Sequence, residues 1–504
     1  MLTRSLFTMA ILCSAAFPQL QSQGPVKIET GRISGALTGR NNDVSVYKGI
    51  PYAAPPVGNL RWKAPQPAAD WADVRETVKF SPIPPQRQSN DRQSEDCLYL
   101  NVWTPAKSAS ERLPVMVWIY GGGFTYGSAS TRIYDGTRLA ENGVVLVSFN
   151  YRLNVLAGFA HPLLSKESGH GSGDYGMLDL IAALQWVQRN IKSFGGDPGN
   201  VTIFGESAGG IAVSSLVVSP LTRGLFHKAI VESGSAARIT PLDHAEQTGE
   251  ELVKKMGLDS DPNVLATLRS KSWAEIPNAQ NYRGGPVIDG YAFTRDPMDF
   301  WAKGTQRNVP MIIGHNHDEA TFFVAQQGEI PKTVEAYQSS VKQRFGDLAS
   351  RVLSLYPATS EDELYWAEIG IRTDSRFGIG ARRQLRGEFN VSSNAWEYHF
   401  SYLPEASKGS KRGVSHASEL AYVFGTIPAT ADQQTRDVSE AMVKYWTQFA
   451  KTGDPNQPGL PRWPAFQKGN EAYLEIGQPI RSGIDLNKEK EDLFDSILRA
   501  EPRN

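Results

Sequence analysis

The 504-residue chain has a formal net charge of −1, with 21% charged and 40% hydrophobic residues. Because a nucleic-acid-binding protein carries a basic excess or patch, this balance argues against nucleic acid as a partner. The sequence shows no heptads, no repeat of fixed period and no long low-complexity tract, which leaves a globular protein of ordinary composition.

The N-terminus differs in character from the rest of the chain. Arg4 is followed by an apolar run at residues 6–13, and the small residues Ser14 and Ala16 come next. A charged start, an apolar segment too short to span a bilayer and small residues at the end are typical of a signal peptide. We predict a signal peptide over residues 1–23, cleaved between 16 and 24, although an amphipathic or buried N-terminal helix is the alternative. The mature protein is then expected to be secreted or periplasmic, without a transmembrane anchor.

The first part of the mature chain is predicted to form antiparallel edge strands. Residues 26–62 alternate short apolar runs with turns, and the proline density at residues 51–56 excludes a helix. Cys97 is the one cysteine outside the predicted signal peptide, so no intramolecular disulfide is expected. It lies in a strand-like alternation without a nearby glycine turn, which favours a buried structural thiol over a nucleophile.

An α/β pattern begins at residue 113. Residues 113–120 and 144–149 are continuous apolar runs, as in strands covered on both faces. A helix is predicted over residues 177–194, where apolar residues recur at helical spacing before a Gly-Gly-Asp-Pro stop. Alternating strands and helices predict a large, mostly parallel central sheet with helices on both faces, whose ligands bind at the carboxyl ends of the strands.

The most informative motif is GESAG at residues 205–209. A β-branched run at residues 200–204 precedes it, and small and apolar residues at 210–217 follow it. A serine between glycines at a strand-to-helix turn is the context of an exposed nucleophile, here Ser207. The alternative is a glycine-rich turn with an incidental serine.

Three consecutive glycines, at residues 121–123, follow the predicted strand that ends at Tyr120. Residues without side chains let backbone amides approach a developing oxyanion, so Gly122 and Gly123 are candidate donors. The amide of Ala208, directly after the candidate nucleophile, is the third.

A serine nucleophile needs a base and a carboxylate that orients it. In this architecture the order is serine, acid, histidine, and His416 lies in a polar loop before a helix whereas His399 lies in a strand-like run. His416 is therefore the better candidate base. Asp318 and Glu319 follow the predicted strand at residues 309–313, and the residues alone do not separate these two candidate acids.

The run from His315 to Asp318 also suggests a metal site. Its spacing matches no hydrolase metal signature, and no further clustered ligands complete a coordination sphere. We therefore expect neither a metal nor a cofactor.

The stretch at about residues 333–386 is helix-rich and polar. We interpret it as a helical insertion in a single catalytic domain spanning residues 24–504. This insertion is expected to form a cap, with the substrate gorge between it and the sheet.

Taken together, these motifs resemble the type-B carboxylesterase/lipase family, which has the α/β-hydrolase fold. The match covers the chain from about residue 26 to 466. Its elements are the GESAG motif at residues 205–209 and residues 49–53 (GIPYA), 95–102 (EDCLYLNV), 121–124 (GGGF), 150–153 (NYRL), 194–198 (FGGDP), 318–319 (DE), His416 and 422–425 (YVFG).

The resemblance implies that Glu319 is the acid, and that Ser233 lies beside the triad as a supporting group. We also expect Glu206 beside the triad. Phe124 and Tyr120 are expected at the substrate pocket, with Tyr120 standing where many members have histidine. Cys97 lacks the partner usual in the family, which is consistent with a bacterial rather than an animal enzyme.

The implied function is hydrolysis of small-molecule carboxylic esters through an acyl-enzyme on Ser207. One alternative is an amide, lactam or carbamate hydrolase with the same triad, since the machinery is shared. Another is a non-catalytic binding protein on the same fold, which typically lacks a triad member.

Overall fold

A computed structural model of the chain describes residues 22–87, 89–235, 239–276, 282, 284–391 and 394–500. The predicted signal peptide lies outside the described residues, apart from its last two positions, where the first strand begins. In the described part of the chain, no helix combines the length and apolarity needed to cross a bilayer.

The described residues contain fifteen strands. They are β1 Ser22–Ile28, β2 Gly31–Thr38, β3 Val44–Pro51, β4 Val74–Glu76, β5 Tyr99–Thr104, β6 Leu113–Ile119, β7 Val145–Phe149, β8 Gly196–Glu206, β9 Lys228–Glu232, β10 Thr240–Pro241, β11 Val287–Ile288, β12 Met311–Asn316, β13 Ala395–Phe400, β14 Ala472–Ile476 and β15 Arg481–Ile484.

Thirteen of these strands form one sheet, in the order β1-β2-β3-β5-β7-β6-β8-β9-β12-β13-β14-β15 with β4 beside β2. The seven strands from β7 to β14 in this order are parallel to one another. Strands β1, β2, β3 and β5 form the antiparallel side. The observed sheet confirms the predicted parallel core and the antiparallel strands at the start of the chain.

Sixteen α-helices surround the sheet in the described residues. They are α1 Thr137–Glu141, α2 Asn154–Gly158, α3 Pro162–Ser168, α4 Tyr175–Asn190, α5 Ala208–Val218, α6 Leu242–Lys255, α7 Val264–Ser270, α8 Pro297–Lys303, α9 Val324–Gln327, α10 Val334–Phe345, α11 Ala349–Leu355, α12 Glu361–Thr373, α13 Ile379–Gly387, α14 Leu420–Val423, α15 Gln433–Thr452 and α16 Lys488–Ala500.

The central strands are largely apolar because both of their faces are covered, although β9 begins with Lys228 and ends with Glu232. All residues of β7 and β9 are buried, which accounts for the continuous hydrophobic runs in their sequences. The predicted helix over residues 177–194 is α4 followed by a 3₁₀ turn at Ile191–Phe194, and Gly195 ends it in the left-handed conformation.

The chain changes winding direction at β6. Strand β7 lies on one side of β6 and β8 on the other, so the carboxyl ends of β6 and β8 flank a crevice of the kind that binds ligands in open α/β sheets. Ile119 pairs with Gly205, and Glu206 pairs with Glu232. This register places the loops after β6, β8 and β9 side by side.

The predicted helical insertion corresponds to α10 through α13. Its helices share an apolar cluster with the C-terminal helix α16, formed among others by Tyr337, Val352, Tyr356, Ile371 and Phe494. The insertion therefore has its own small core, and α16 is part of it.

Candidate active site

Ser207 occupies a strained turn between β8 and α5. Its backbone has φ 57° and ψ −123°, a conformation that costs a residue with a side chain about 1–3 kcal/mol. Its amide donates to the carbonyl of Glu232 at 2.9 Å, which fixes the turn to β9.

The small residues around Ser207 are required by close backbone contacts. A Cβ on Gly209 would lie 2.0 Å from the carbonyl oxygen of Ile119, and one on Gly234 would lie 2.1 Å from that of Ser207. Any larger residue at these positions would push the turn away from the sheet.

The glycine loop after β6 lies beside this turn. Gly122 and Gly123 have φ values of 89° and 63°, and a Cβ on Gly122 would lie 2.0 Å from the carbonyl oxygen of Tyr126. In the described residues, no acceptor binds the amide of Gly122 or Gly123. The amide of Ala208 is free of an intrahelical partner because Ala208 is the first residue of α5.

His416 and Glu319 form a buried pair. The Nδ1 atom of His416 lies 2.5 Å from Oε2 of Glu319, and these residues are 5% and 0% exposed. The other oxygen, Oε1, accepts hydrogen bonds from Ser233 Oγ at 2.5 Å and from the Asn316 amide at 2.7 Å. Glu319 is thus held on both oxygens, and the His416 ring is oriented by a fixed carboxylate.

The Nε2 atom of His416 is turned toward Glu206. It lies 3.0 Å from Glu206 Oε1, but neither atom has a hydrogen-bond partner of acceptable geometry in the described residues. The side chains of Ser207 and His416 line the same cavity without a hydrogen bond between Ser207 Oγ and Nε2. The structure therefore unites Glu319, Glu206 and Ser233 around His416 and places Ser207 in the same cavity.

Two opposing effects set the protonation of His416. Burial lowers the pKa of His416, but the negative charges of Glu206 and Glu319 outweigh burial and hold this pKa well above its ordinary value. These two charges thus stabilise the protonated form of His416.

Two further carboxyl groups lie behind this pair. Burial raises the pKa of Glu232 to about 8 despite its hydrogen bond from Trp446. Burial and the neighbouring charges of Glu206, Glu319 and Glu232 raise the pKa of Glu419 well above its ordinary value. Both shifts favour the neutral form of these carboxyl groups and so reduce the negative charge packed around His416.

The two candidate acids have different contacts. Oδ2 of Asp318 accepts from the Val414 amide at 2.8 Å, and Oδ1 lies 2.7 Å from Nδ1 of His317. Asp318 therefore holds the loop that carries His416, while Glu319 contacts the imidazole itself.

A cavity of about 1050 Å³ lies between the sheet edge and the insertion. The glycine loop, Ser207, Phe124 and His416 line one part of it, and Arg376 and Phe377 of the insertion line another. This location agrees with the gorge expected between the cap and the sheet.

The expectation that Tyr120 lines the pocket is wrong. Tyr120 is fully buried and is not among the residues that line the cavity. Its ring stacks on Tyr151 at a centroid distance of 4.5 Å, and the Tyr151 hydroxyl donates to the Tyr120 carbonyl at 2.8 Å. Tyr120 supports the glycine loop from below instead of contacting a ligand.

The remaining sequence candidates are buried or displaced from the cavity. Cys97 is buried with a free thiol, as predicted, and burial raises the pKa of this thiol well above its ordinary value. His399 is buried in β13 beside His315. His315 and His317 do not share a metal cluster in the described residues, because His317 instead pairs with Asp318.

Sequence reasoning missed the aromatic wall around His416. Ring centroids of Phe323, Phe377 and Phe322 lie 4.9, 5.3 and 5.7 Å from the imidazole. The adjacent Phe322 and Phe323 follow Glu319 within one turn, a spacing that could have indicated them. Phe377 comes from the insertion, and no local pattern connects it to the site.

The parallel sheet, the strained serine turn and the cavity at the strand ends define an α/β-hydrolase. Residues 22–494 match the carboxylesterase family. The fumonisin B1 esterase of Sphingopyxis macrogoltabida is 37% identical, over 94% of this chain and 91% of that protein. The para-nitrobenzyl esterase of Bacillus subtilis (strain 168) is 34% identical, over 94% of this chain and 98% of that protein. A solved structure of a PNB esterase superposes with a TM-score of 0.81 at 33% identity, covering 93% of this chain and 99% of that one.

The chain belongs to the carboxylesterase family. It is a carboxylic ester hydrolase, and its substrates are small-molecule esters.

Proposed function

We propose that Ser207, His416 and Glu319 form the catalytic triad, and that the amides of Gly122, Gly123 and Ala208 form the oxyanion hole. The observation that carries this proposal is the buried His416–Glu319 pair at 2.5 Å, whose ring shares a cavity with the strained Ser207. A carboxylate on Nδ1 selects the tautomer in which Nε2 accepts a proton.

In the proposed reaction, Ser207 Oγ attacks the ester carbonyl while its proton passes to Nε2 of His416. The three amides bind the oxyanion of the tetrahedral intermediate, and the alcohol leaves with the proton from Nε2. Water then repeats the sequence on the acyl-enzyme. Catalytic hydrogen bonds are often long before substrate binds, so Oγ is expected to reach Nε2 only in the substrate complex.

Only the neutral form of His416 can accept the serine proton. Glu206 and Glu319 raise the pKa of the imidazole, which makes His416 a stronger base once it is neutral. The same charges stabilise the imidazolium that forms during attack. Glu206 and Ser233 thus support the triad without contacting the reacting carbonyl.

The substrate is proposed to be a bulky ester. The cavity of about 1050 Å³ is slightly larger than the ~300–1,000 Å³ typical of ligand pockets. Phenyl rings of Phe124, Phe322, Phe323 and Phe377 line it, which favours a substrate with a large apolar part. The two bacterial relatives, a fumonisin B1 esterase and a para-nitrobenzyl esterase, suggest which kinds of ester to test first.

A matched panel of esters and amides, varied separately in acyl and alcohol size, tests the proposed reaction. We expect hydrolysis of the esters at rates far above those of the matched amides, and Ser207→Ala is expected to retain less than about one thousandth of the activity. Ser215→Ala is the matched control, because the Ser215 hydroxyl donates within α5 to the Ile211 carbonyl at 2.8 Å. Faster cleavage of amides would favour the amidase alternative. Turnover by Ser207→Ala near the wild-type rate would remove Ser207 from the nucleophile role.

We also propose that the enzyme is exported, on the basis of the sequence pattern at residues 1–23. Expression of the full-length chain in a bacterial host, followed by N-terminal sequencing of the exported protein, tests this. A new N-terminus between residues 16 and 24 is expected, and an intact Met1 on protein retained in the cytoplasm would contradict the proposal.

A further inference from the structure

A second buried cluster lies outside the cavity, where the insertion and the C-terminal helix meet the sheet. His315 of β12, Asp374 of the π-helical segment Asp374–Gly378 between α12 and α13, and Glu491 of α16 each offer one potential ligand atom. These three atoms lie within 4.8 Å of one another. The residues are 1%, 3% and 0% exposed, so solvent does not satisfy their polar atoms.

Part of this cluster has no hydrogen-bond partner. In the described residues, neither ring nitrogen of His315 is paired, and neither is Oε1 of Glu491. Buried polar atoms are nearly always paired with protein, water or an ion. Three unpaired atoms in one buried cluster therefore indicate that something else binds there.

Some carboxylate oxygens around this cluster have no cationic partner in the described residues. Arg382 binds Oε2 of Glu491 and a carboxylate oxygen of Glu471, which leaves Oε1 of Glu491 available. Glu397 is 1% exposed, and neither of its carboxylate oxygens has a partner in the described residues. Arg386 also binds Glu471, but Glu397 and Oε1 of Glu491 have no partner in the part of the chain that the structure describes, although charges in a protein interior are ordinarily paired or bound to a metal.

Supporting contacts fix the candidate ligands. The Tyr356 hydroxyl donates to Oδ2 of Asp374 at 2.6 Å, and Asn487 Nδ2 lies 3.3 Å from Oδ1. A Cβ on Gly378 would lie 2.4 Å from Oε1 of Glu491, so the glycine makes room for this unpaired oxygen. Such outer hydrogen bonds orient carboxylate ligands in metal sites.

We propose that His315, Asp374 and Glu491 bind one divalent transition-metal ion, for which Zn²⁺ is the best match. One imidazole nitrogen and two carboxylate oxygens form a ligand set that Zn²⁺ accepts, whereas Mg²⁺ and Ca²⁺ prefer oxygen alone. Bonds of ~2.0–2.2 Å place tetrahedral ligand atoms about 3.3 Å apart, so binding draws the three side chains together by on the order of 1 Å.

The ion has a structural role in this proposal. The three side chains supply three of the four tetrahedral positions, and a water molecule or the second oxygen of a carboxylate would fill the fourth. Because the ligands come from separate elements, the ion would fasten α16 and the insertion to β12. His315 precedes Glu319 by four residues, so the ion would also stiffen the segment that carries the acid. This differs from the sequence-based expectation of no metal, and it is independent of the proposed triad.

Metal analysis of the full-length protein tests the site. Protein stripped with a chelator is dialysed against Zn²⁺ and then against metal-free buffer, and metal content and thermal unfolding are measured. We expect about one Zn²⁺ per chain and a midpoint raised by roughly 2–5 °C, with no comparable shift from Ca²⁺ or Mg²⁺. Absence of retained zinc, an unchanged midpoint or an equal shift with Ca²⁺ would each overturn the proposal.

Variants locate the ion. His315→Gln and Glu491→Gln are expected to lose the bound zinc and the thermal shift, while His244→Gln, which alters an exposed histidine of α6, keeps both. Retention of zinc by His315→Gln, or its loss in His244→Gln, would place the ion elsewhere and contradict the assignment. If the buried variants do not fold, substitution of Co²⁺ into the wild-type protein still tests whether the metal site exists. A visible absorption band of tetrahedral Co²⁺ with one imidazole is expected, and absence of the band overturns the proposal.

Discussion

The serine side and the histidine side of the active site are built in different ways. Ser207 and its turn come from one continuous segment, and backbone atoms of Ile119 and Glu232 hold it through close contacts and a hydrogen bond. His416 is instead held by side chains from separate loops, since Glu319, Ser233 and Glu206 follow or end three different strands. Backbone geometry determines the first part, and buried charge determines the second.

This difference predicts different responses to substitution. A change on the histidine side should alter rates and pH dependence while the serine turn keeps its conformation. A change in the glycine loop should displace the backbone amides of that loop and leave the pKa of His416 unchanged.

Among variants of the residues around Ser207 and His416, with Ser207 itself kept, the largest effect is expected for Glu319→Gln. Loss of the carboxylate charge removes the group that orients His416 and stabilises its imidazolium, so kcat should fall by about 10³–10⁴. Asp318→Asn is the matched control, because Asp318 contacts Val414 and His317 and not His416. Steady-state kinetics on one chromogenic ester measure kcat of both variants. A larger loss in Asp318→Asn would show that Asp318, and not Glu319, is the acid of the triad.

A smaller loss is expected for Gly122→Ala. The added Cβ would meet the Tyr126 carbonyl at 2.0 Å and displace the loop, so kcat should fall by about 10²–10³, the loss of one oxyanion donor. Gly123→Ala isolates the effect of crowding, because Gly123 also has a positive φ of 63° but the nearest atom to its Cβ would be Thr125 Oγ1 at 3.8 Å, so its loss should be the smaller one. Equal losses in the two variants would mean that crowding at Gly122 does not position the amides.

The smallest effect on the maximal rate is expected for Glu206→Gln, whose main consequence is a shift in pH dependence. Protonated His416 cannot accept the serine proton, and Glu206 raises the pKa of His416. Removal of this charge lowers that pKa, so the acidic limb of the kcat/KM profile should move to lower pH.

The control for this shift is Glu251→Gln, which alters an exposed carboxylate that also lines the cavity. Its profile should match that of the wild type. An acidic limb that stays in place in Glu206→Gln, or that moves equally in Glu251→Gln, would contradict the assignment of Glu206 as the neighbouring charge.

The contrast between the two sides also explains what the sequence could predict. The strand, the small residues and the helix around Ser207 are contiguous, so the turn and the parallel sheet were predicted from local patterns. Asp318 and Glu319 are adjacent and chemically alike, and residue patterns alone could not show that the chain after β12 directs Glu319 to His416 and Asp318 to Val414. Only the resemblance to a family distinguished them.

Other features depend on packing that no local pattern records. Tyr120 was assigned to the pocket from its place beside the glycines, but stacking on Tyr151 buries it beneath the loop. Phe377 reaches the cavity from the insertion. Asp374 and Glu491 meet His315 from segments about 60 and 180 residues away, so the buried cluster became visible only after folding brought these segments together.

Covalent trapping tests the central claim, that a single serine becomes nucleophilic, most directly. The protein is treated with one equivalent of a fluorophosphonate, and the modified peptide is identified by mass spectrometry. We expect loss of esterase activity in proportion to one adduct per chain, located on Ser207. Full loss of activity with the adduct on another residue, or an adduct on Ser207 that leaves activity intact, would contradict it.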